Sequence, residues 1–241
     1  MRTSDLSIII PTLNDGAVLM PLLHTLQILR QTGQEIILSD GGSTDNTCTL
    51  ARPLVDRVVQ GAAGRAQQMN RGACQAQGHW LWFVHADTRL TTKAAQTFVR
   101  YLQRARSDWG YCGLGLDSQR LIFQVIAFLM RQRTRLSRIA TGDQGIFVRH
   151  LLFEQIGGYT AIPLMEDIAL CRQLKHRSRP ACAPIRLMTS ARRWQRQGIL
   201  RTVLLMWWLR FAYFIGVSPV RLAAWYRPCS SPASVLRTAD C

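Results

Sequence analysis

Four short stretches gather the side chains able to do chemistry. Asp40-Gly41-Gly42-Ser43-Thr44-Asp45 sets a carboxylate ahead of two glycines. That carboxylate can accept from a pyrimidine N–H, and the glycines let the backbone turn tightly against a ligand. The same residues also suit an Asx turn closed by glycine. His85-Ala86-Asp87-Thr88 offers an imidazole and a carboxylate. A hard divalent cation takes the carboxylate oxygen readily; a lone His such as His85 can also sit satisfied at a strand end. Gly142-Asp143-Gln144-Gly145 puts an acid and an amide in one tight turn. Glu166-Asp167 is a pair of adjacent carboxylates, either of which could take a proton from a hydroxyl. Acids also gather at helix N-termini because the macrodipole favours them there.

The elements that must position these side chains are written in the hydrophobic pattern. Leu6-Ser7-Ile8-Ile9-Ile10, closed by Pro11, reads as a buried strand. Asn14 or Asp15 stands where a helix cap belongs, with Val18, Leu22, Leu26 and Leu29 at helical spacing behind it and Gly33 at the end. Glu35-Ile36-Ile37-Leu38-Ser39 reads as a second strand, a helix should start near Thr44 or Asp45, and Val55 to Val59 reads as a third strand. Gly64 to Gly78 predicts a helix carrying Ala66, Met69, Ala73 and Ala76 on one face, and Trp80-Leu81-Trp82-Phe83-Val84 another strand. This alternation implies an α/β chain: a doubly wound, mostly parallel sheet with helices on both faces. Ligands of such sheets sit outside the carboxyl ends of the strands. Thr12–Asp15, Asp40–Thr44 and His85–Thr88 each follow a strand directly, so all three should face one crevice.

The second half is less regular. Tyr111 to Leu116 predicts a strand whose Gly113-Leu114-Gly115 lacks the third glycine of a dinucleotide fingerprint. Leu121 to Met130 predicts an apolar helix leading into Arg131, Arg133, Arg135 and Arg138. Ile146-Phe147-Val148 predicts a strand and Glu166 to His176 a helix. Two apolar helices should follow Gly198, broken near Gly216-Val217-Ser218-Pro219. One domain is expected over residues 1–195, with a C-terminal helical appendage over 196–241.

The chain has 241 residues, 30 Lys and Arg against 14 Asp and Glu, and a formal charge of +16. Such a field attracts polyanions, and the excess is almost all Arg. No RNP-like, helix-turn-helix or zinc-finger pattern supports a specific nucleic-acid partner. No Ser-His-Asp arrangement, Walker loop or metalloprotease signature is present either. Seven cysteines without Cys-x-x-Cys spacing suggest reduced thiols, and the opening residues carry no signal-peptide core, so a cytoplasmic location is expected. The apolar stretch Ile199 to Val217 carries Arg201 and Arg210, and a central Arg is costly inside a bilayer. Packing on the domain, a homodimer interface or a place on the inner membrane face would each account for it.

Pro11-Thr12-Leu13-Asn14-Asp15, the Asp40 stretch, His85-Ala86-Asp87-Thr88 and Glu166-Asp167-Ile168 occur in this order. The set resembles family-2 glycosyltransferases of the GT-A fold. Gly142-Asp143-Gln144-Gly145, Arg192-Arg193-Trp194 and Gly216-Val217-Ser218-Pro219 are similar to one subfamily, the bacterial arsenosugar-biosynthesis glycosyltransferases. The resemblance implies inverting transfer of a sugar from a UDP- or GDP-sugar to an acceptor hydroxyl, small and soluble or lipid-linked, with Mg2+ or Mn2+. It implies a nucleotide-binding half over 1–90 and an acceptor half over 91–195. Pro11, Thr12, Asp15, Asp40 and Gly41 would meet the nucleoside; Arg65 and Asn70 the phosphates or ribose; His85, Ala86 and Asp87 the donor. Asp87, with His85, would hold the metal. Asp143, Gln144 and Trp194 would border the acceptor, and Arg193 would clamp the departing diphosphate. Asp167 would be the base and Glu166 its support. The pattern departs from the family at three places. Asp15 stands where Glu is usual, and His85 replaces the first Asp of Asp-x-Asp. Ser190 stands where processive members carry Gln, so a processive synthase is not expected. A nucleotidyltransferase would share the sheet, but the late Glu166-Asp167 pair argues for glycosyl transfer.

Overall fold

A computed structural model describes residues 5–117, 121–189 and 199–226. The chain divides into two units, one of residues 1–161 with 166–191 and one of 162–165 with 192–241.

The first unit is built on a seven-stranded sheet. Its strands are β1 (Leu6–Thr12), β2 (Glu35–Asp40), β3 (Arg57–Gln60), β4 (Trp80–Phe83), β5 (Trp109–Leu116), β6 (Phe147–Arg149) and β7 (Ala181–Thr189), in the order β3-β2-β1-β4-β6-β5-β7. The β1, β2, β3 and β4 pairings are parallel, as is β5 with β7, while β6 runs antiparallel to both neighbours. The expected mostly parallel, doubly wound sheet is therefore present, with one antiparallel insertion.

Side chains alternate across a strand, and the core divides accordingly. Ile8 and Ile10 of β1, with Leu38, Trp80 and Trp82, pack against α1 (Gly16–Gln31), α2 (Thr47–Ala51) and α4 (Thr92–Leu102). Ile9, with Leu81, Phe83 and Val148, packs on the other face against α3 (Arg65–Cys74), α6 (His150–Gln155) and α7 (Glu166–Lys175). Trp82 lies 4.2 Å from Phe98 between ring centroids, and Phe98 meets Phe147 edge-on at 5.3 Å. Such burial is worth about 1.5–3 kcal/mol for each large side chain.

Several elements differ in detail from their expectation. The buried face of α1 is Leu19, Leu22, Leu23, Leu26 and Leu29, and Val18 is exposed. Pro11 does not end β1, which continues through Thr12. Val84 N–H donates to Ile9 O and Gly41 N–H to Thr12 O. Alternate residues of β1 thus bond β4 and β2, and Pro11 faces β4 beyond the last paired residue, Ile9. No ladder bond is lost there, so a proline is tolerated in a central strand. α5 (Leu121–Ser137) extends past Met130 to include Arg131, Arg133 and Arg135. α4 and β7 had no counterpart in the sequence reading.

In the second unit, α8 (Ile199–Phe214) and α9 (Pro219–Trp225) flank the expected break, where Gly216 takes φ 92°. No helix among the described residues is long and apolar enough to cross a membrane.

Candidate active site

The loops at the carboxyl ends of β1 and β2 are stapled together by Asn14. Its amide donates to Ser43 Oγ at 2.9 Å, and its Oδ1 accepts from the amides of Thr44 (2.9 Å) and Asp45 (3.3 Å). Asn14 holds φ 55°, a left-handed conformation that asparagine tolerates. The helix-capping role expected for Asn14 is thus replaced by a loop-to-loop bridge. Asp15 occupies the N-cap of α1 without a side-chain cap bond; its carboxylate instead accepts from Leu13 N–H at 3.0 Å.

Asp40 is fully buried. Its Oδ2 accepts from the amides of Gly42 (3.0 Å) and Ser43 (2.9 Å), and its Oδ1 from the Ser43 hydroxyl at 2.5 Å. Burial opposes ionisation, but the hydrogen bonds from Ser43 and Gly42 outweigh it and hold the carboxyl below its ordinary range. Gly42 at φ 91° allows this turn, and a Cβ at Gly41 would press on the Gln68 carboxamide at 3.0 Å. Gln68, buried on α3, donates to Thr12 O (2.7 Å) and Ser39 O (3.0 Å) and so ties the ends of β1 and β2 to α3. Arg71 donates to Asp40 O at 3.1 Å. Neither residue was singled out from the sequence, where a Gln and an Arg on a helix look like solvated positions. The buried Thr12 hydroxyl has no protein partner among the described residues.

A second group of acids lies beside the first. Asp87 follows β4 and reaches solvent, with Ala86 buried behind it. Surrounding protein and the nearby charges of Asp143 and Asp15 push its carboxyl above the ordinary value. Asp15 is raised too, by burial and by Asp45 and Asp40. Among the described residues Asp87 forms no ion pair. His85 is strongly desolvated and lies near Arg65, which lowers its pKa to about 3. It is therefore a neutral imidazole at physiological pH, the form able to ligate a metal.

The third group comes from α7 and the short turn before β6, a 3-10 segment over Gly142–Gln144. Gly142 N–H donates to Asp167 Oδ2 at 2.9 Å. Any Cβ at Gly142 would collide with His85 Nε2, so this glycine lets the α7 acids approach the loop after β4. Asp167 is half-buried, whereas Glu166 is only 4% exposed. Burial and the adjacent Asp167 raise the Glu166 carboxyl, against the pull of Arg65; Arg65 Nη1 lies 3.5 Å from Glu166 Oε1. Arg65 also acts electrostatically on Asp15, Asp87 and His85. With its side chain 56% exposed, it stands at the solvent-facing rim of these carboxylates.

The structure thus brings Thr12, Asp15, Asp40, Gly41, Arg65, His85, Ala86, Asp87, Asp143, Glu166 and Asp167 together within the first unit. Two expected contacts are otherwise engaged. Asn70 Nδ2 donates to Tyr159 O and its Oδ1 accepts from Tyr159 N–H, both at 2.8 Å, so its carboxamide clamps a loop. Gln144 is buried, and its Oε1 accepts from Thr134 Oγ1 (2.9 Å) and Thr141 N–H (3.2 Å); Asp143 is the side chain this turn leaves beside Asp87. Pro11 is buried in β1. Arg193 and Trp194 lie outside the described residues.

No cluster of three His, Cys, Asp or Glu able to hold a metal occurs among the described residues. Asp87 and His85 offer at most two protein ligands. That number suits a hard cation which takes its remaining oxygens from substrate phosphates and water.

Comparison with known proteins identifies the family and the fold. The model of "Glycosyl transferase family 2" matches residues 7–148. A PGL/p-HBAD biosynthesis glycosyltransferase of Mycobacterium bovis (strain BCG / Pasteur 1173P2) is 44% identical over 93 residues, 35% of this chain and 36% of that protein. The uncharacterized glycosyltransferase YibD of Escherichia coli (strain K12) is 33% identical over 116 residues, 46% of this chain and 34% of that one. The chain thus spans about a third of the length of these relatives. Among solved structures, S. aureus TarS 1-349 in complex with UDP-GlcNAc aligns with TM-score 0.62 at 17% identity, covering 77% of this chain and 58% of that one. Glucosyl-3-phosphoglycerate synthase from Mycobacterium tuberculosis, in complex with Mn2+ and UDP-glucose, aligns with TM-score 0.59 at 18% identity over 77% of this chain and 70% of the other. These alignments bear out the GT-A-type α/β fold. With a family match across more than half its length, this chain belongs to glycosyl transferase family 2.

Proposed function

We propose that the chain is an inverting, metal-dependent glycosyltransferase that moves a sugar from a nucleotide-diphosphate donor, a UDP-sugar first, onto an acceptor hydroxyl. The carrying observation is the approach of Asp167, through Gly142 and His85, to the loop bearing Asp87. A base and a cation-binding carboxylate in one crevice are what this reaction needs. The nucleoside would rest on the stapled ends of β1 and β2, with Asp40 and the unpartnered Thr12 hydroxyl beneath it. UDP is preferred to GDP because both solved relatives cited above hold a UDP-sugar.

Asp87, with the neutral His85, would hold Mg2+ or Mn2+. When bound, the cation neutralises charge building on the leaving diphosphate. Arg65 adds positive charge on the same side. Asp167 takes the proton of the acceptor hydroxyl as its oxygen attacks the anomeric carbon. The bond from that carbon to the diphosphate oxygen breaks, and its electron pair leaves with the nucleotide. Glu166, buried and next to Arg65, keeps Asp167 in place.

A small soluble acceptor follows from the likeness to arsenosugar-biosynthesis enzymes. A lipid-linked alcohol is the second reading, favoured by the exposed Leu121, Phe128 and Leu129 on α5, the helix whose Thr134 holds the Asp143 turn. The test is a donor screen: binding and turnover of UDP, GDP, CDP and dTDP sugars, with and without Mn2+. Metal-dependent binding of a UDP-sugar is expected. Absence of metal-dependent binding for every donor would end the proposal.

A further inference from the structure

The second unit carries a surface that the reaction does not use. On α8 and the residue that follows it, Leu204, Trp207, Trp208, Phe211, Phe214 and Ile215 are each more than half exposed, Trp207 at 70% and Phe214 at 75%. At 3.6 residues per turn these six fall within one stripe about 120° wide. Thr202, Leu209 and Ala212 are buried on another side of the same helix. α9 adds exposed Val220 and Trp225. Scattered exposed apolar side chains are ordinary, but a contiguous aromatic stripe marks an interaction surface.

Charge identifies the partner. The described residues of these two helices, 199–226, contain Arg201, Arg210 and Arg221 and no Asp, Glu or Lys. Arg201 and Arg221 stand exposed on the two helices. A second copy docking face to face would bring two such acid-free surfaces together, and like charges across an interface are costly. An anionic lipid surface offers the opposite charge together with an apolar layer for the aromatic rings. α8 spans about 24 Å at 1.5 Å per residue, short of the roughly 30 Å hydrocarbon core, so it can lie along a bilayer but not cross one.

We propose that α8 and α9 lie in the headgroup layer of an anionic phospholipid membrane, with Trp207, Trp208, Phe211 and Phe214 inserted and Arg201 and Arg221 against lipid phosphates. This holds whichever donor and acceptor the first unit uses.

The test is sedimentation of the full chain with vesicles of equal parts phosphatidylglycerol and phosphatidylcholine, or of phosphatidylcholine alone, at low and high salt. Retention on the anionic vesicles is expected, weakened by salt and by phosphatidylcholine alone. Trp207→Ala with Trp208→Ala should weaken it by about tenfold or more. Arg201→Gln and Arg221→Gln should each weaken it by about fivefold. The substituted side chains are exposed, so unchanged melting would show that the fold persists. A readout on the unaltered chain guards against a variant that fails to fold: brominated phosphatidylglycerol should quench its tryptophan fluorescence. No retention at low salt, retention indifferent to lipid charge or to the tryptophans, or absence of quenching would each overturn the proposal. So would a dimer in solution that the tryptophan variant dissociates while vesicles retain neither form, because the stripe would then be a subunit interface.

Discussion

The turn after β2 and the loops around Asp87 and Glu166 are both rich in acids at the same edge of one sheet, yet their carboxyls titrate in opposite directions. Asp40 is buried and still held below the ordinary carboxylate range, because Ser43 and Gly42 hand it three hydrogen bonds. Asp45 is lowered as well, chiefly by the Thr47 hydroxyl. Asp15, Asp87 and Glu166 are raised by the surrounding protein and by neighbouring carboxylates: Asp45 and Asp40 act on Asp15, Asp143 and Asp15 on Asp87, and Asp167 on Glu166. The first group spends its charge on the fold. In the second, only Arg65 supplies nearby positive charge among the groups that shift these pKa values. Crowded carboxylates of this kind are stabilised by any divalent cation that joins them.

The largest effect expected from this difference is on metal-dependent donor binding. Asp87→Ala should weaken Mn2+-dependent UDP-sugar binding by on the order of 10²-fold or more, beyond the usual effect of altering a ligand's supporting residue. Asp45→Asn should leave it nearly unchanged. Titration calorimetry with and without Mn2+ measures both, and the reverse ranking would erase the distinction between the two groups. Next comes turnover. Asp167→Asn should lower kcat by about 10²–10⁴-fold with donor affinity kept. Full activity in that variant would transfer the role of base to Glu166. Gly142→Ala probes the contact between loops: its methyl must displace His85 and disturb the amide held against Asp167. A shift of that size should cost about 10²-fold in kcat, with a smaller change in donor affinity. Wild-type kcat would show that the close approach has no part in catalysis.

Much of this arrangement was legible in the chain itself. Parallel strands followed at once by Thr12–Asp15, Asp40–Thr44 and His85–Thr88 force those loops to one edge, and β1, β2 and β4 obey that logic. Arg65 acts on both Asp87 and Glu166, and Asp167 accepts from the Gly142 amide beside His85. β7 escaped notice because Pro184 and Arg186 interrupt its hydrophobic run. Ala183, Ile185 and Leu187 nevertheless alternate inward from a strand with one open face, and the register shifts at Cys112/Gly113, opposite Pro184. α4 was readable in principle, since Thr91 caps it and Ala95, Phe98 and Leu102 recur at helical spacing. The partners chosen by polar side chains were not readable. Nothing local says that Asn70 will clamp Tyr159, that Gln144 will turn inward to Thr134, or that Gln68 will hold two strand ends. These choices depend on which backbone groups the fold leaves unpaired.

Gln68 provides a test of that last point on stability. Gln68→Leu would strip the carbonyls of Thr12 and Ser39 of a buried donor, which should cost about 1–3 kcal/mol. Melting would fall by about 2–4 °C for each kcal/mol lost. An unchanged Tm would mean that water replaces the carboxamide.

The smallest effects carry the most information about the two acid groups, because they should differ in sign. For Asp40, with a folded pKa below the ordinary 3.8, the stabilisation is fully present above the unfolded value and is lost as pH falls through the folded one. Asp40→Asn should therefore lower stability at neutral pH, by on the order of 1–2 kcal/mol for weakened hydrogen bonds to a charged group, and should flatten the acid limb below about pH 4. For Asp87 the folded pKa is raised, so between the two values the native state holds more protons than the unfolded one. Stability of the metal-free chain should rise as pH falls through that window. Asp87→Asn should accordingly stabilise the metal-free chain at neutral pH, and the gain should shrink on acidification as the wild-type carboxyl takes up its proton. Urea midpoints of the two variants and the wild type between pH 3 and 8, in chelator, read both signs in one series. Destabilisation by both substitutions at neutral pH would mean that Asp87 also holds the fold together, and the division between structural and cation-seeking carboxylates would be lost.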